Sequence, residues 1–410
     1  MSDASPLEHR RYHGLDLVRA SMMMLGVVIH TALVFMPDAP WIYQDPQRSD
    51  LAGLMVLLIH VFRMPIFFVM AGFFGAMLQA RKGAMVLGGN RFNRIVVPLV
   101  VGWFVLFPML SWSISFGWTY AMLPEGERSI MLAFQKMGVG VDFKEAGPMH
   151  LWFLYYLLYY YIACSFLSWL LGRFARPVVD LFNKCLKHFI IGRLRLLRLP
   201  LLVIASFLLM IPMKDPGVDT PESWIPVPRI LLVYAFYFWI GWITYRHREV
   251  IEQLKNWSWL RLLGGLLMLG LCLIMSITWY MLLEEAGVSQ ETRDWILAVA
   301  QLFNVTCVWL LVLGLTGVTE RLLSRENPLI RYMVDASYWI YLMHLPLTLF
   351  IPALFRYWDI DGTLKMLIMM VLVTVPLIVT YHLFVRGSVI GVVLNGRRYP
   401  TWFGSHHGDS

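Results

Sequence analysis

The chain has 410 residues, 59% of them hydrophobic and 15% charged, with a mean hydropathy of +0.63 and a formal net charge of +8. So little polar surface cannot solvate a globule of this length, which excludes a water-soluble domain and predicts an all-α, polytopic membrane helix bundle with a polar central cavity. The positive excess suits basic loops lying against anionic headgroups, so membrane lipids are expected partners and nucleic acid is not.

Ten apolar stretches approach the ~20 residues that cross a bilayer as a helix. They are roughly 15–36, 55–78, 95–115, 150–171, 199–213, 229–245, 260–283, 295–317, 332–355 and 364–385. The fifth is short and ends at Pro212. Lys and Arg gather on alternate loops: Arg81, Lys82, Arg91 and Arg94 after the second stretch, Arg173 to Arg198 after the fourth, Arg246 to Arg261 after the sixth, Arg321 to Arg331 after the eighth. Acids such as Asp215, Asp219, Glu284 and Glu285 collect on the intervening loops. The alternation predicts a cytoplasmic N-terminal segment, 1–14, one transmembrane domain, 15–385, and a cytoplasmic tail, 386–410. The first span is read as a retained helix, because its polar lead lacks a small-residue cleavage pattern. Cys164, Cys272 and Cys307 fall within spans and Cys185 on the cytoplasmic side, so neither a disulfide nor a metal site is expected.

Between the fourth and fifth stretches, Val178, Leu181, Phe182, Leu186, Phe189 and Ile190 recur at helical spacing opposite Lys184 and Lys187. That pattern predicts a helix lying in the headgroup plane. No fixed-period repeat or inverted correspondence of the halves is visible, which weighs against a carrier.

Ionisable side chains inside a span are costly and mark function. His30 lies deep in the first stretch, eleven positions after Arg19, or ~16 Å at 1.5 Å per residue. His60 and Arg63 fall in the outer half of the second, His150 begins the fourth ahead of Trp152, and His344 precedes Pro346 in the ninth. Five groups are therefore expected in the outer half of the bilayer, with Arg19, Arg91 and Arg94 at the inner mouth. Guanidinium pairs bind phosphate in bidentate fashion, and imidazoles move protons near neutrality. The arginines could equally be inside-positive anchors, His60 and His150 interfacial histidines, and Trp152 part of an aromatic belt. Facing histidines such as His30 and His344 can also ligate haem, but that leaves the arginines unexplained.

These residues resemble the acyltransferase 3 family of integral-membrane enzymes. Its first-helix pattern of a basic residue, ten positions and a histidine is met by Arg19 and His30. Its second-helix pattern appears as Phe67-Phe68-Val69-Met70-Ala71-Gly72-Phe73, with Ala71 where many relatives carry serine. Its Arg-x-x-Arg element is Arg91-Phe92-Asn93-Arg94, and its late element is Ser337-Tyr338-Trp339-Ile340-Tyr341-Leu342-Met343-His344.

The resemblance implies acyl transfer in a bacterial inner membrane, from a coenzyme A thioester to an extracytoplasmic sugar, with no permanently bound cofactor. The strings around His60, His150 and His344 are similar to a branch that succinylates osmoregulated periplasmic glucans, which would make succinyl-coenzyme A the donor and a periplasmic glucan the acceptor. Roles carried over from the family make His30 the catalytic base and direct Arg19, Arg91 and Arg94 to coenzyme A. Asp16 is a catalytic candidate or the ion-pair partner of Arg19. Arg63 is the candidate receiver of a succinyl carboxylate, His344 a catalytic or packing residue, and His60, His150 and Trp152 candidate sugar contacts. Acetyl transfer to another envelope polysaccharide and transport of a glucan or lipid-linked sugar are the competing readings.

Overall fold

The computed structural model describes residues 11–39, 41–138, 143 and 146–399, and these form helices joined by turns, with no strand among them. In chain order the main helices are α1 (His13–Phe35), α2 (Asp50–Lys82), α3 (Ala84–Met122), α4 (Met149–Phe174), α5 (Arg176–Ile190), α6 (Arg198–Met210), α7 (Pro228–Arg246), α8 (Ser258–Glu284), α9 (Gln290–Leu322), α10 (Pro328–Leu354) and α11 (Gly362–Val385). Eight of them, all but α5, α6 and α7, are long and apolar enough to cross a membrane. The expected fifth span is a helix of only 13 residues, ~20 Å against a ~30 Å hydrocarbon core. The sixth, α7, is long enough, but Tyr234, Tyr237, Trp239, Trp242 and Tyr245 make it less apolar than the other spans.

Helix ends follow local chemistry. α2 and α3 are separated by Gly83 alone, whose φ of +86° ends one helix and starts the next. Ser289 and Asp361 cap α9 and α11 by accepting from the backbone N–H of Thr292 and Leu364. The basic segment after α4 forms α5 as expected, with Val178 and Leu181 exposed.

The chain forms two compact units interleaved in sequence. Unit 1 comprises residues 1–22, 60–90 and 156–330. In it α2 and α7 touch backbone to backbone: a Cβ on Gly72 would stand 1.9 Å from the Phe238 carbonyl oxygen, and one on Gly241 1.9 Å from that of Val69. The small residues of the second-helix pattern thus permit a helix crossing. The neighbouring Ala71 carbonyl accepts from the Tyr161 hydroxyl.

Unit 2 comprises residues 23–59, 91–155 and 331–410. Its core joins Ile29, Phe35, Ile59, Leu110, Phe116, Leu345, Leu349 and Met369 from α1, α2, α3, α10 and α11. The loop after α1 folds back on this core. Asp45 and Ser49 donate backbone N–H groups to the α1 carbonyls of Val34 and Phe35. Asp45 also pairs with Lys365 at 2.8 Å, both side chains fully buried, and Arg356 holds the Gln44 carbonyl.

Candidate active site

The late motif explains its own spacing once α10 is formed. Ser337, Tyr338, Tyr341 and His344 recur every three or four residues, so they lie along one helix face. The His344 imidazole is fully buried and its Nδ1 donates to the Tyr341 carbonyl at 2.6 Å, a bond that fixes Nε2 as the basic nitrogen.

Proline then recruits a second histidine. Pro346 has no N–H for the carbonyl four residues back, that of Leu342. The Leu342 oxygen instead accepts from His150 Nε2 at 3.0 Å, leaving His150 Nδ1 as the basic nitrogen. The Tyr341 hydroxyl returns a bond to the His150 carbonyl at 2.7 Å. Met149, at φ 50° in the left-handed region, turns the chain immediately ahead of His150.

His30, near the end of α1, completes the group. Its ring centroid is 5.1 Å from that of His344, which is itself 5.1 Å from that of His150. The three imidazoles form a short row with His344 in the middle. His30 is part-exposed where the other two are buried, so it is the member an incoming hydroxyl can meet. Trp41, from the folded-back loop, stacks on His30 at 5.5 Å and 22°. Its indole N–H is buried without a hydrogen-bond acceptor among the described residues.

The same face of α10 leads to the basic residues. Arg91 ends the regular part of α3's first segment and Arg94 lies in a π turn, Phe92–Val96. The Arg-x-x-Arg element therefore runs into a turn wider than a regular α-helix gives, of a kind frequent at functional sites. The Tyr338 hydroxyl donates to the Arg94 carbonyl, and both guanidinium groups act electrostatically on Tyr338. Ring centroids step from Tyr338 to Tyr341 at 6.3 Å and from Tyr341 to His344 at 6.0 Å. Six residues of helix separate Tyr338 from His344, ~9 Å along the axis.

A model of the acyltransferase domain of the acyltransferase 3 family matches residues 12–382. The chain belongs to the acyltransferase 3 family. Similar proteins include glucans biosynthesis protein C of Escherichia coli O81 (strain ED1a) and of Escherichia coli strain K12, each 24% identical over 404 residues, covering 96% of this chain and 96% of theirs. No solved structure matches. As a member of the acyltransferase 3 family the chain is a multi-pass membrane acyltransferase.

The structure distributes the other candidates of this acyltransferase 3 domain as follows. Asp16 and Arg19 lie in unit 1, paired at 3.0 Å, with the Arg19 guanidinium 4.8 Å above the Phe74 ring. Asp16 stands fourteen residues before His30, ~21 Å down the same helix, so it cannot orient that imidazole. It serves as the partner of Arg19. His60 and Arg63 also belong to unit 1. His60 bonds the backbone of Val218, and Asp219 acts on it electrostatically together with Arg63, one helical turn away. Asp219 in turn binds Arg229 at 3.0 Å. His150 is 7% exposed, with its ring bonded to the Leu342 carbonyl and its own carbonyl accepting from the Tyr341 hydroxyl. Trp152 is also 7% exposed, which leaves little ring surface for a sugar.

Trp41 and the tyrosines were not candidates on sequence. The two tyrosines carried a signal, their three-residue spacing ahead of His344. Trp41 carried none, because it reaches His30 through a loop fold.

Proposed function

We propose that the protein transfers a succinyl group from succinyl-coenzyme A to hydroxyls of a periplasmic glucan, in a bacterial inner membrane with both termini cytoplasmic. The observation that carries this reading is the row of three imidazoles, open to an incoming group only at His30. His30 removes the proton of an acceptor hydroxyl as its oxygen attacks the thioester carbonyl. The tetrahedral intermediate then collapses, the C–S bond breaks, and the thiolate takes the proton back from the imidazolium, giving ester and free coenzyme A. His344 and His150 share the transient positive charge behind it.

Arg91 and Arg94 hold donor phosphates, with Arg19 as a further contact. Arg63 receives the succinyl carboxylate, which must not be buried unpaired. The similarity to glucans biosynthesis protein C supports the choice of acceptor. The test is the mass of periplasmic glucans from cells with and without the chain. Loss of succinyl-sized increments on deletion, restored by the intact gene but not by His30→Ala, is the expected result. Unchanged masses would overturn the glucan assignment, and full activity of His30→Ala in vesicles supplied with succinyl-coenzyme A would overturn the base.

A further inference from the structure

Unit 1 contains a cavity of about 230 Å³ whose lining comes from that unit alone. It exceeds the ~150 Å³ apolar cavity that takes a benzene and falls short of the ~300 Å³ at which drug-sized sites begin, so it suits one slender chain. Leu186, Phe189 and Ile190 of α5 form one wall, with Leu201, Ile251 and Arg198 among the rest. The apolar face of α5 continues outward from these residues to Val178 and Leu181, both largely exposed, while Lys184 and Lys187 are exposed as well. A helix of that character lies at headgroup level, which puts the cavity mouth where lipid phosphates are.

The mouth is cationic. Arg195 and Arg261 both act electrostatically on Arg198, which is anchored by a 2.9 Å bond to the Ile190 carbonyl. Arg261 donates to the carbonyls of Leu254 and Asn256. Among the described residues no carboxylate forms an ion pair with any of the three. Gathering three like charges without a counter-charge is costly unless an anion joins them.

We propose that this cavity binds one acyl tail of an anionic membrane phospholipid, with its phosphate held by Arg195, Arg198 and Arg261. Lipid is delivered by the surrounding bilayer, so the site needs no entry path through the protein.

The test is native mass spectrometry of the purified full-length chain in detergent, titrated with phosphatidylglycerol or with phosphatidylcholine. The expected result is at least ~10-fold stronger retention of phosphatidylglycerol, as several charge-assisted contacts would give. The preference should vanish in Arg195→Gln/Arg198→Gln, and Leu201→Trp, which fills the rim of the cavity, should weaken both lipids. Equal retention of the two lipids by the unaltered chain would overturn the proposal, as would unchanged retention in Leu201→Trp. Displacement of bound phosphatidylglycerol by equimolar succinyl-coenzyme A would also overturn it, by assigning the arginines to the thioester donor.

Discussion

His150 Nε2 donates to the carbonyl of Leu342, an oxygen that is open because residue 346 is a proline. Pro346→Ala supplies the missing N–H and sets the helix in competition with His150 for one acceptor. The expected outcome is a bundle at least as thermostable as the original with acyl transfer about 10- to 100-fold slower, as displacement of reacting groups by ~1 Å produces. Initial rates and melting temperature on the same preparations check it; equal rates would separate His150 from the chemistry.

His30→Ala is expected to lower kcat by roughly 10²–10⁴, the worth of a positioned general base. His344→Ala, one ring further in, should lower kcat with KM for the donor unchanged, because His344 is buried from an incoming group. A matching rise in KM would reassign it to binding.

Trp41 covers one face of His30. Trp41→Phe should keep most of the rate, since an aromatic face remains, and Trp41→Ala should lose about tenfold, in line with a ring contact of 0.5–1.5 kcal/mol. Steady-state rates of the two variants decide it. Equal loss in both would mean that the indole N–H, not the stacking, matters.

The Asp45–Lys365 pair anchors the loop that carries Trp41. Lys365→Met leaves a buried carboxylate uncompensated and should cost roughly 3–5 kcal/mol, whereas Asp45→Leu with Lys365→Met should be close to neutral. Burial raises the Asp45 carboxyl above its ordinary 3.8, opposed by the bond from Lys365. The folded chain therefore binds that proton more tightly than the unfolded chain does. Its contribution to stability is fully present below pH 3.8 and falls as pH rises through the raised folded value. Melting temperatures of the intact chain and of Asp45→Asn, compared across that window, should show a decline with rising pH in the intact chain that the variant, with no carboxyl at residue 45, lacks.

Gly72→Leu places a side chain against the Phe238 carbonyl. Overpacking of this kind costs about 1–3 kcal/mol, and more where backbone rather than a side chain must yield. Reduced yield and melting temperature are expected, together with an unchanged KM in the protein that does fold.

Eight of the spans and the convergence of three histidines were legible because both rest on local rules. Apolar length gave eight of the ten expected spans as long apolar helices, and missed the limits of α6, whose 13 residues fall short of a bilayer, and the aromatic dilution of α7. The meeting of His30, His150 and His344 followed from their depth, since residues from different helices at one level can converge. His60 and Arg63, expected at the same depth, fall in unit 1. Asp16 was open on sequence between a catalytic role and pairing with Arg19, three residues on, and the two are paired at 3.0 Å. Trp41 was invisible because loop folds depend on long-range anchors such as Lys365, 320 residues from Asp45.

The π turn at Phe92–Val96 holds one residue more than the α-turn it replaces. Deleting that one extra residue would let the helix close as a regular α-turn with its two flanks still in phase. Arg94, inside the turn, would then shift relative to Arg91, which precedes it, without either being replaced. In this short stretch one residue of chain length, and not only side-chain identity, sets how the Arg94 guanidinium stands to that of Arg91.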